Sequence, residues 1–89
     1  IAPFIGKVSN AFLPPLVYQL EEYGLPRMLS RKIHDLGVID LERNDVEIHD
    51  VLEEFTNMSI EHQVRLNTSF DSFDRYIFEY FMEGITRES

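Results

Sequence analysis

The chain has 89 residues, a net charge of −8 and no cysteine. That length fits one domain burying roughly 60–65 % of the surface its unfolded form exposes. A disulfide framework and a thiolate metal site are excluded. Apolar residues at 44 % and charged residues at 27 % are the values of a globular chain and not of a disordered tail.

Ile1 to Asn10 reads as a lead-in or linker, because Pro3 and Gly6 oppose regular structure. It is apolar, but Pro3, Pro14 and Pro15 interrupt it and no positive region precedes it, so it is not read as a signal peptide. The chain begins at Ile1 and is expected to be a domain of a larger protein.

Pro14 and Pro15 suit the first turn of a helix, where a missing N–H costs nothing. The first helix is expected to run to about Tyr23 and stop at Gly24, with Leu13, Leu16, Val17 and Leu20 on its inner face. A second runs from about Pro26 to Leu36 and stops at Gly37. Its expected buried stripe is Met28, Leu29, Ile33 and Leu36. The short joint between the two predicts a helical hairpin or corner.

Residues 38–49 have two readings: a minor β-hairpin, or a loop leading into a helix. Asp50 and Glu53 have capping-box spacing, which predicts a helix from Asp50 to about Asn57. Ser59 is a good N-cap for a last helical region. Leu66, Phe70, Phe73, Ile77, Phe81 and Gly84 then recur as an apolar seam. The region is either one long helix from Ser59 to Glu83 or two helices broken near Thr68; the capping pattern at Thr68 to Asp71 favours two, with a final helix from about Ser69 to Glu83. The fold class is all-α, a compact bundle of four to five short helices in one domain spanning residues 1–89.

Catalytic patterns are absent: there is no Gly-rich phosphate loop, no nucleophile elbow and no pair of histidines at helical spacing. His34, His49 and His62 read as surface histidines and not zinc ligands. Asp40, Glu42 and Asn44 alternate like calcium ligands, but Asp45 stands where a glycine is needed and Val51 where a bidentate Glu is needed. Glu21/Glu22 and Glu53/Glu54 are sequence neighbours that point about 100° apart on a helix, so they do not converge on one atom. No enzyme activity, metal, cofactor or small-molecule substrate is expected.

Two surfaces are candidates for a contact. The final helix carries more aromatics than one seam uses, and the candidate partner-binding residues are Phe73, Tyr76, Phe78, Tyr80 and Met82. The second helix carries Arg27, Arg31 and Lys32 as a candidate anion or nucleic-acid contact. The whole net charge lies in residues 44–89, which repels phosphate backbones at long range. The expected function is therefore a non-catalytic protein-interaction or scaffolding module of an intracellular, cytoplasmic protein. Its expected partner is another protein or a second copy, with no membrane contact. The alternative is an accessory domain of a nucleic-acid-processing machine. Arg27 and Ser30 also match a basic-directed phosphorylation pattern.

Overall fold

A computed structural model describes residues 14–88, and five helices make up this region. The lead-in at residues 1–10 and the inner-face position Leu13 lie outside the described residues. The helices are α1 (Pro15–Glu22), α2 (Arg27–Asp35), α3 (Ile48–Thr56), α4 (Ile60–Ser69) and α5 (Ser72–Glu88). α1 packs on α2 and α3, and α3 packs on α5. The protein is all-α, as expected.

The first two helices end in the same way. At the end of α1, Gly24 takes φ +103°. Its N–H donates to Glu21 O, and the N–H of Leu25 donates to Leu20 O. At the end of α2, Gly37 takes φ +73°, with Gly37 N–H to His34 O and Val38 N–H to Ile33 O. Both are Schellman turns, which satisfy carbonyls a helix end leaves open. Each turn also carries the next apolar residue, Leu25 or Val38, straight into the core.

The hairpin reading of residues 38–49 is corrected, since no strand occurs among the described residues. Backbone donors in the middle of the segment go to side chains instead of to a paired strand. Leu41 N–H donates to His34 Nδ1 at 3.1 Å, and Glu42 N–H donates to Asp40 Oδ1 at 2.9 Å. Val38 and Ile39 are neighbours and both buried, which departs from the in–out alternation of a half-exposed hairpin strand. Arg43 holds the loop closed through Asp40 O at 2.9 Å and Glu54 Oε2 at 2.6 Å.

α3 begins two residues before the expected Asp50. Glu47 is its N-cap in a reciprocal capping box with Asp50, so Asp50 closes the box and does not open it. Ser59 caps α4 as expected, accepting from His62 N–H at 3.2 Å. The break falls later than Thr68, whose hydroxyl donates to Val64 O and stays inside α4. The chain turns at Phe70 instead, where ψ is 137°, and Asp71 Oδ1 then accepts the N–H of Asp74 at 2.8 Å to start α5.

The core joins all five helices and the 38–41 loop. Leu16, Leu20, Leu29, Ile33, Leu41, Val51, Phe55, Leu66, Phe81 and Ile85 are almost fully buried. Two expected core positions are corrected. Met28 is 74 % exposed, and its place in the stripe is taken by Ser30, which is fully buried. Phe73 is 69 % exposed. The inner side of α5 keeps the expected Ile77 and Phe81 and adds Phe78 and Ile85, with Phe78, Phe81 and Ile85 at i, i+3 and i+7. Gly84 lies in open space on the outside and does not stop the helix, which runs on to Glu88.

Candidate interaction surface

α5 carries two aromatic faces with different surroundings. On the inner face Phe78 meets three other rings: Phe70 at 5.6 Å between centroids, and Phe55 and Phe81 at 6.1 Å each. Phe81 meets Phe55 edge-on at 5.2 Å. Tilted and edge-to-face contacts at these distances are favourable for ring quadrupoles. Met82 is half-buried beside them, and with Phe78, Leu66 and Phe55 it lines a cavity of about 260 Å³ at the α3–α4–α5 junction.

On the outer face Phe73, Tyr76 and Tyr80 are 69 %, 66 % and 71 % exposed. Their spacing of i, i+3, i+7 sets them on one stripe. The five residues expected to bind a partner are thus divided. Phe73, Tyr76 and Tyr80 form a continuous exposed stripe, while Phe78 and Met82 point into the core side of the same helix. Glu79 and Glu83 are exposed and edge the stripe, lying three residues after Tyr76 and Tyr80. Arg87 Nη2 sits 2.8 Å from Glu83 Oε1.

α4 has an outer apolar pair that sequence reasoning missed: Ile60 at 78 % and Val64 at 56 % exposure. The signal was present in their i, i+4 spacing, set away from the buried Leu66, but Leu66 drew the whole helix into the seam.

The three cations of α2 meet different fates. Arg27 Nε lies 3.1 Å from Glu21 Oε1, and its guanidinium stands 4.8 Å over the Tyr18 ring. Lys32 Nζ lies 2.6 Å from Asp74 Oδ2 and ties α2 to the first turn of α5. The hydrogen bond to Asp74 outweighs the opposing effect of desolvation and, together with the negative charge of Asp74 and Asp71, holds the Lys32 ammonium above its ordinary range. Arg31 is exposed and has no ion pair among the described residues. Of the three charges only Arg31 is left without an ion pair among the described residues, and Asp35 and Glu42 line the same shallow pocket beside it.

His34, Asp40 and Glu42 bring one ligand-type atom each within 4.8 Å of one another. The ring is already committed at Nδ1. Nδ1 accepts the Leu41 N–H, so the neutral ring carries its proton on Nε2, 3.4 Å from Glu42 Oε1. A cation at Nε2 would move that proton to Nδ1, where it would face the Leu41 N–H donor to donor. The cluster reads as a clasp that folds the 38–41 loop against α2.

A groove of about 440 Å³ beside α3 is floored by Val38, Ile39 and Met58 and edged by Asp50, Glu53 and Glu54. Glu54 in this edge is already held by Arg43. Ser30 is fully buried, and its hydroxyl has no hydrogen-bond partner among the described residues, so the phosphorylation pattern at Arg27 and Ser30 falls on a side chain that a kinase cannot reach in the folded domain. Among the described residues, no helix is long and apolar enough to cross a membrane. Comparison of the chain with protein-family models, curated proteins and solved structures finds no match.

Proposed function

We propose that this protein is a non-catalytic protein-interaction module whose contact surface is the outer face of α5. The observation that carries the reading is the stripe of Phe73, Tyr76 and Tyr80, three large aromatics exposed at helical spacing beside a separate set that serves the core. Tyr and Phe are enriched at protein interfaces, where a few rings supply most of the binding energy. A helix that presents anchors at i, i+3 and i+7 is a recurring mode of docking. The partner is another protein or a second copy, and a cytoplasmic scaffolding role in a larger assembly belongs to the same reading.

The alternative of a nucleic-acid contact through α2 has less support, because Glu21 and Asp74 already occupy Arg27 and Lys32. The test is photo-cross-linking in the native cell extract from a reactive group placed at position 76, with position 53 as the control. A discrete adduct from 76 that is absent from 53 and lost when Tyr80→Ser is added supports the reading. Equal adducts from both positions, or none from 76, counts against it.

A further inference from the structure

Three features compete for a further role: the groove beside α3, the His34 clasp and the outer stripe of α5. The groove has an acidic edge, but no polar group in it is both buried and unpartnered. The clasp has its imidazole Nδ1 committed to the Leu41 N–H, and its Nε2 stands 3.4 Å from Glu42. The stripe has an apolar face, a defined spacing and an edge that carries two glutamates, Glu79 and Glu83, against one arginine, Arg87, which pairs with Glu83; the balance on that edge is acidic, and these together restrict what can cover it.

The edge decides between occupants. Glu79 and Glu83 stand one turn apart along one side of the stripe, and Glu83 shares Arg87. Arg75, the other cation of α5, is turned away to donate to Asn67 O at 3.0 Å on α4. Beyond the helix, residues 44–89 carry the entire net charge of −8.

A second copy of the chain is the other occupant to weigh. Antiparallel pairing about Tyr80 sets Tyr76 opposite the open space at Gly84 and Phe73 opposite Arg87. That same pairing runs Glu79 and Glu83 along the Glu79 and Glu83 of the other copy and brings two strongly acidic surfaces together. Like charges at the edge of a helical seam oppose pairing, and opposite charges select the partner.

We infer that the outer face of α5 docks against a basic amphipathic helix of another protein, one whose apolar face covers Phe73, Tyr76 and Tyr80 and whose Lys or Arg residues meet Glu79 and Glu83. This rests on the proposed reading of α5 as a contact surface and names the chemistry of its partner. The apolar face supplies the affinity, and the acidic edge supplies the selection and the salt dependence.

The experiment uses the 89-residue chain and two labelled helical peptides of about 18 residues. One is built of Leu and Lys and the other of Leu and Glu, with identical apolar faces. Fluorescence anisotropy is read at low and at physiological salt, and circular dichroism checks that each variant is folded. The Leu/Lys peptide is expected to bind at least about tenfold more tightly than the Leu/Glu peptide, and to weaken as salt rises. Phe73→Ser with Tyr80→Ser should lower its affinity about tenfold or more. Glu79→Lys with Glu83→Lys should reverse the preference, while Glu22→Lys with Glu53→Lys, an equal charge change elsewhere, should leave the order of the two peptides unchanged.

A reversal caused equally by the distant pair would mean that only general charge is being read, and would overturn the proposal. So would binding indifferent to Phe73 and Tyr80, or the absence of binding by either peptide. Equal binding of both peptides, lost in the Phe73/Tyr80 variant, would overturn the basic partner alone and leave the contact surface standing. A dimer in light scattering that Tyr80→Ser dissociates would make a second copy the occupant, and would also overturn it.

Discussion

The two faces of α5 are built from the same kinds of residue and differ in what surrounds them. Phe78 and Phe81 are locked among Phe55 and Phe70, within 5.2 to 6.1 Å of other rings. Phe73, Tyr76 and Tyr80, on the same helix, are at least 66 % exposed. Burial of a large aromatic is among the strongest stabilising contributions a small domain has, and exposing one gains nothing for the fold. The inner face therefore accounts for why α5 exists as a helix here, and the outer face calls for an explanation beyond the fold. Substitutions on the two faces should separate stability from contact.

The largest effect is expected inside. Phe81→Ala should cost about 3–5 kcal/mol, a large part of the stability of any small domain, and denaturant unfolding will show it. Phe78→Ala should cost less, about 2–3 kcal/mol, because the ring is only half-buried. A loss near zero at Phe78 would move that residue to the outer face and undo the division drawn here. Gly84→Ala should raise stability by about 0.5–1 kcal/mol, since its Cβ would meet nothing within 4 Å and alanine is the better helix former.

A smaller effect is expected from the link between α2 and α5. Lys32 has its value raised in the folded protein, so the stabilisation is complete below its ordinary value of 10.5 and is lost as pH rises through the raised one. The melting temperatures of the protein and of Asp74→Asn should therefore differ near neutrality and converge at strongly alkaline pH. Smallest of all, Phe73→Ser and Tyr80→Ser should each change stability by no more than about 0.5 kcal/mol.

The helices were legible in the sequence wherever local chemistry set them. Pro15, Gly24, Gly37 and Ser59 mark ends that depend on φ or on one hydrogen bond, and the structure has them in those roles. For residues 38–49 the sequence left a hairpin and a loop leading into a helix both open, and the second holds; nothing local chose between them, because the partner of Leu41 N–H is an imidazole seven residues away. Periodicity counts apolar positions but does not identify the face that meets the core. Leu66, Phe70 and Phe73 fit a single seam only if the helix is continuous, and the turn at Phe70 rotates α5 so that Phe78 replaces Phe73 inside. The excess of aromatics was visible in the sequence. Which of them stayed outside depended on that turn, and so did the division of the five candidate residues. The pairing of Lys32 with Asp74 spans 42 positions and left no local trace.

The most direct test of the account is an NMR titration of the aromatic rings with the Leu/Lys peptide. The account predicts that shifts concentrate on Phe73, Tyr76 and Tyr80 while Phe55 and Phe81 stay in place. Shifts confined to α2, or spread evenly over the core rings, would contradict it.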